Sequence, residues 1–173
     1  MSDQGIDLRG MLDGIATSAF RLETRRAYSL GYERRMFDDF LAGREVTPPP
    51  DTDWYRPWLD RVRRLTATGR RIQRVRVVDE PITDYQRYAI WTGAWNTAAG
   101  EDIRYMAREV AATVGLPGRD WWLLDGQTVV VLNFDAFDRL SGRELIVSPS
   151  TVSEFVERRD LALTLAPASE QAA

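Results

Sequence analysis

At 173 residues, 44% apolar and 28% charged, the chain has the size and balance of a single globular domain. It contains no histidine, no cysteine and no lysine, and all 23 basic residues are arginine. These absences exclude Ser-His-Asp and Cys-His nucleophilic catalysis, the lysine of a phosphate-binding loop and the usual structural zinc ligands. The net charge of −3 gives no global attraction to nucleic acid.

The longest apolar run, around Val129–Leu132, is too short to cross a bilayer. The start, Met1-Ser-Asp-Gln-Gly-Ile-Asp7, lacks the basic region and apolar stretch of a secretory signal. A cytoplasmic location with no membrane partner is therefore expected. Without cysteine, disulfides play no part and the redox compartment is open. Codon bias in a GC-rich genome is the preferred account of the arginine usage, ahead of selection for guanidinium chemistry.

In chain order, residues 1–10 read as polar and loose, and Met11–Ala16 as a short helix. Phe20-Arg-Leu-Glu23 alternates apolar and polar, which predicts a short strand. Ser29 is placed to cap a helix carrying Tyr32, Met36 and Phe40 on one face, with Gly43 just beyond its end. Thr47-Pro-Pro-Pro50 breaks the chain as an interior loop. Asp53 then caps a helix with Trp54, Trp58, Val62 and Leu65 on one stripe, ended by Gly69.

Arg71–Val78 reads as a strand with Val75 and Val77 on one face and Arg74 and Arg76 on the other. Thr83 and Gln86 have capping-box spacing, so Asp84–Trp91 is predicted helical, with Gly93 and Gly100 punctuating the next stretch of chain. Ile103 and Tyr105 suggest a short strand. Trp121–Leu124, Asp125-Gly126 and Thr128–Phe134 predict a hairpin closed by a type I′ turn. Val129–Leu132 is apolar on both faces, so that strand is expected to be covered on both sides. A turn near Ser141-Gly142 leads to a strand at Arg143–Val147, completing a meander. Ser148-Pro149 opens a final helix bearing Val152, Phe155 and Val156, and Ala166–Ala173 reads as a frayed tail.

The segments Phe20–Glu23, Arg74–Pro81, Thr83–Tyr88, Ala98–Ile103 and Asp120–Asp125 together resemble an uncharacterised domain-of-unknown-function family common in actinobacteria. The resemblance extends from about Phe20 to Leu163, and the chain departs from it after Tyr88, where it reads Ala89-Ile90-Trp91. It brings no reaction and no catalytic residues. Members of that family are often associated with helix-turn-helix transcription regulators, which implies a regulatory or partner-binding role.

Seven arginines fall within Arg61–Arg76, and from Asp51 to Glu80 eight arginines face five acids. Arg61, Arg64, Arg74 and Arg76 would share a face if helix and strand pack side by side. That face would suit phosphate or an acidic partner, although a solvated surface is the preferred reading. Tyr85 and Arg87 would join Arg74 and Arg76 in a histidine-free Arg/Tyr ribonuclease, by analogy alone. Glu101 and Asp102 follow a glycine but point to opposite faces of a strand, which favours a salt bridge or loop cap over one shared cation. Trp91, Trp95, Trp121 and Trp122 could line a flat pocket, with core packing preferred.

These readings predict a single α+β domain over residues 1–173. Its ordered core spans about 11–165, with a mainly antiparallel sheet, a C-terminal meander and several flanking helices. They favour a non-enzymatic regulatory or interaction protein whose partner is another protein, such as a helix-turn-helix regulator. The alternative is a nucleic-acid-acting protein, a ribonuclease or RNA binder, and a small-ligand sensor using the tryptophans comes third. No catalytic residue, cofactor or metal is expected.

Overall fold

The structure is a computed structural model, and it describes residues 5–167. Its strands are β1 (Ser18–Glu23), β2 (Arg71–Val78), β3 (Asp102–Ala107), β4 (Asp120–Leu124), β5 (Thr128–Phe134) and β6 (Leu140–Ile146). Its helices are α1 (Leu8–Asp13), α2 (Arg34–Leu41), α3 (Arg56–Thr66), α4 (Asp84–Ala98), α5 (Arg108–Thr113) and α6 (Pro149–Leu165). No described helix is long and apolar enough to cross a membrane.

The six strands form one sheet in the order β3-β2-β1-β4-β5-β6. β1, β2 and β3 pair in parallel, whereas β4 pairs antiparallel with β1, and β5 and β6 continue antiparallel. The sheet is therefore mixed, not mainly antiparallel as expected. The reason lies in the connections: a parallel pair needs a long crossover, and here helices α2 and α3 join β1 to β2 while α4 joins β2 to β3. The two-residue turn at Asp125-Gly126, with φ of 52° and 65°, enforces antiparallel pairing in the other half. The Asp125 carboxylate also ties that turn to the start of β1, accepting from the backbone N–H groups of Ala16, Thr17 and Ser18 at 2.7–3.0 Å.

The turn before β6 lies earlier than the sequence suggested. Asp135 accepts from the N–H groups of Phe137 and Arg139, and Asp138 takes φ of 60°. Ser141 falls at a register shift between the Asn133–Gly142 and Phe134–Leu140 pairs. The Ser-Gly signal thus marks a bulge inside the strand.

One sheet face is a conventional apolar core: Phe20, Leu22, Val75, Val77, Trp121, Leu123, Val129 and Val131 meet Phe155, Val152 and Ala162 of α6. Val130 and Leu132 turn to the opposite face with Ala19, Ile72 and Trp122, under Leu12 of α1 and Leu65 of α3. β5 is thus covered on both sides.

Several helix boundaries differ from those expected. α1 begins at Leu8, inside the stretch read as loose, with the Asp7 carboxylate capping Gly10 N–H. α2 starts only at Arg34, so Tyr32 precedes it and is 60% exposed. α3 starts at Arg56 with Pro57 in its first turn, and Trp54 packs on Tyr32 and Tyr55 instead of joining the stripe. The Thr83–Gln86 capping box is formed, but α4 runs through Gly93 to Ala98. Of the predicted frayed tail, Ala166 is buried and Pro167 exposed, and residues 168–173 lie outside the described residues.

Candidate functional site

The second sheet face changes character toward β2 and β3. Strand periodicity puts Arg21, Glu23, Arg74 and Arg76 on this side, and helices α3 and α4 cover it. Charges that would face water in a half-covered sheet are therefore enclosed.

Their partners are specific. Arg74 donates from Nη1 to Glu23 Oε1 and from Nε to Glu101 Oε1, both at 2.6 Å. Arg76 donates from Nε to the other Glu23 oxygen at 2.5 Å and from Nη1 to the Ala89 carbonyl at the middle of α4. Arg21 stands 3.2 Å from Glu23 and 3.6 Å from Asp120. Glu101, 1% exposed, also accepts from Trp58 Nε1 at 3.1 Å and from Asn96 Nδ2 at 2.7 Å, and Tyr55 donates to Asn96 Oδ1. Asp120 accepts from Thr24 N–H and hydroxyl and from the Tyr28 hydroxyl. Three arginines thus balance three carboxylates, as burial demands. The Arg74 guanidinium also lies beside the Trp58 and Trp122 rings, at 5.7 and 5.8 Å from their centroids.

The electrostatics follow from this arrangement. Burial raises the Glu23 carboxyl, but the charges of Arg74, Arg21 and Arg76 outweigh it and hold it well below the usual carboxylate range. For Asp120 burial prevails over Arg21 and Tyr28, so its carboxyl is raised. Glu33, at the start of α2, has a tyrosine for its hydrogen-bond partner instead of an arginine. Its carboxylate accepts from Tyr85 at 2.6 Å, and burial, reinforced by the charge of Glu23, pushes it up to about 7.

Two openings lie at the carboxyl ends of β1, β2 and β5. A space of about 20 Å³, room for one water, is lined by Glu23, Tyr28, Arg76, Tyr85 and Tyr105 among others. A crevice of about 160 Å³ is lined by Arg25, Gly118, Arg119, Asp120, Leu132, Asn133 and Phe134. Among the described residues no three carboxylates converge as a metal site would require.

The residues singled out in the sequence do not form one site. Arg61 and Arg64 both clamp Asp13 at the end of α1, on the surface. Arg74 and Arg76 are inside, committed to Glu23 and, for Arg74, also to Glu101. Tyr85 is given to Glu33, and Arg87 to Asp84 on the exposed side of α4. Glu101 and Asp102 part company: Glu101 enters the buried ion lattice, while Asp102 pairs with Arg104 and accepts from Gln73. Trp121 and Trp122 face opposite sides of the sheet, and Trp91 and Trp95 meet edge to face along α4.

Sequence reasoning missed Arg21, Glu23, Tyr28, Glu33 and Asp120. The signal for the first two was present, since they share the strand phase of Arg74 and Arg76. It has the form of a solvent face because nothing in the sequence shows that helices cover it. Comparison with curated proteins gives no match. A family model matches residues 7–171, nearly the whole chain, and the chain belongs to the family described as domain of unknown function DUF6879.

Proposed function

We propose that the chain is a non-enzymatic regulatory or interaction protein that docks a protein partner along the open edge of β6. The carrying observation is the apolar surface there. Among the described strands β6 pairs only with β5, and Leu145 on it, Val147 just after it and Phe137 in the turn before it are 46%, 62% and 72% exposed. An unpaired strand edge flanked by exposed apolar side chains suits the addition of an extended segment from another chain. The buried lattice supports this reading from the other direction. Arg74 and Arg76 are held by Glu23 and Glu101, and Tyr85 by Glu33, so none of the three is free to grip an RNA backbone without giving up an internal partner.

The partner proposed is a helix-turn-helix transcription regulator, as the family resemblance implies. Co-purification from the native host, followed by reconstitution with the recovered regulator, tests this. The expected result is a stoichiometric complex that survives raised salt. It should be lost in Leu145→Arg with Val147→Arg, a variant that keeps its thermal midpoint because both side chains are exposed. Recovery of RNA, or of no stoichiometric partner, would overturn the proposal.

A further inference from the structure

We propose that the crevice of about 160 Å³ between the carboxyl end of β1 and the start of β4 binds a small oxyanion, gripped by Arg25 and Arg119. The first argument is topological. From β1 the chain builds the sheet outward through β2 and β3, then returns to the other side of β1 and builds through β4, β5 and β6. Because β4 runs antiparallel to β1 and β5, this reversal sets the carboxyl ends of β1 and β5 beside the amino end of β4, where three chain segments leave or enter the sheet together. The crevice opens among these segments: Arg25 follows β1, Gly118 and Arg119 precede β4, and Asn133 and Phe134 close β5.

The second argument is charge. The lining holds two guanidinium groups and a single acid, Asp120. That acid is engaged from within, by the hydrogen bonds of Thr24 and Tyr28 and the charge of Arg21. Each guanidinium has an acid of its own, Asp138 for Arg25 and Glu144 for Arg119, so binding is an exchange of anions, and forked guanidinium donors match the paired oxygens of carboxylate and phosphate.

Geometry and size narrow the ligand. The Arg25 guanidinium lies over the Phe134 ring at 4.9 Å, and Arg119 is steadied by Asn133 Oδ1 at 2.9 Å, so both are oriented. Their present acidic partners, Asp138 for Arg25 and Glu144 for Arg119, are partly exposed rim residues. Such pairs are weak and readily exchanged for an incoming anion. A volume of about 160 Å³ admits a phosphate or a short carboxylate.

The test is titration with inorganic phosphate and with malonate at constant ionic strength, chloride being the balancing salt. Thermal midpoint and the 15N signals of the Arg25 and Arg119 Nε–H groups are followed together. A saturable rise in midpoint with movement of both arginine signals is expected, weakened at least tenfold in Arg25→Gln with Arg119→Gln. Response to phosphate alone assigns a phosphate group, and response to malonate alone a carboxylate. The single variants, read by the remaining arginine signal, keep the test open should the double variant fold poorly. No saturable response to either anion, or an unchanged response in the variants, overturns the proposal.

Discussion

Replacing Glu23 by glutamine keeps the shape of the side chain but removes the negative charge on which Arg74 and Arg76 converge at 2.6 and 2.5 Å. The lattice would then hold three buried guanidinium groups against two carboxylates. Removing one partner of a buried ion pair costs about 3–5 kcal/mol, and the amide oxygen can still accept one hydrogen bond, so about 3 kcal/mol is expected. For a chain of this size that lowers the thermal midpoint by roughly 6–12 °C. Urea unfolding followed by tryptophan fluorescence measures it, with Arg64→Gln as a surface control expected to cost about 0–1 kcal/mol. The pH profile gives a second reading. Glu23 is depressed in the folded state, so its contribution is complete above the unfolded carboxyl value near about 4.3 and is lost as pH falls below it. Wild-type protein should therefore lose stability on acidification more steeply than Glu23→Gln. If the variant loses no more than the surface control, the lattice contributes nothing net and the reasoning fails.

Glu33 has the opposite sign. Raised to about 7 from 4.5, it favours the folded state while protonated, and that contribution is lost as pH rises toward 7. Glu33→Gln should gain on wild type by about 2–3 kcal/mol between pH 4 and pH 8 in paired urea titrations, and parallel profiles would refute this. Gly93→Ala replaces a helix-interior glycine, which on propensity alone would stabilise by about 1 kcal/mol. A Cβ there would lie 3.1 Å from both Arg76 Nη1 and the Tyr105 hydroxyl, and Arg76 is pinned by Glu23 and Ala89. A net loss of about 1–2 kcal/mol in the urea midpoint is expected, and a gain would show that the lattice yields. Asp125→Ala removes the acceptor of three backbone N–H groups and places alanine at φ of 52°. Calorimetry should show a loss of about 2–4 kcal/mol, of which Asp125→Asn recovers part by tolerating that backbone conformation.

Legibility in the sequence tracks how local each signal is. β2, β5, the Thr83–Gln86 cap and the Asp125-Gly126 turn are written in a few adjacent residues, and each lies where those residues predict it. The parallel sense of β1, β2 and β3 is set by long crossovers, which leave no local mark, whereas the hairpin signal is conspicuous and points to antiparallel pairing. α5, only six residues long, has no side-chain cap and a single buried residue, Ala111, so it leaves no periodic trace. The polar lattice is hardest. Arg21, Glu23, Arg74 and Arg76 have the alternation of a solvated strand face, and only the tertiary cover of α3 and α4 turns that pattern into a buried ion network.

That cover also separates the molecule's two halves by chemistry. On the parallel side every charge of the lattice faces an internal partner, and replacing Arg74 there disturbs Glu23 and Glu101 at once. Such a region suits holding β1, β2 and the overlying helices in one arrangement. On the antiparallel side the crevice arginines pair with partly exposed acids, and β6 leaves its outer edge open among the described strands. Surface ion pairs and an unpaired strand exchange partners cheaply, whereas the buried lattice cannot. On the proposed reading, recognition belongs to the half built from β4, β5 and β6. The all-arginine composition acts differently in the two halves: inside, a planar guanidinium joins two carboxylates beside the Trp58 and Trp122 rings, and at the crevice the same fork is held by partly exposed acids that an incoming anion would displace.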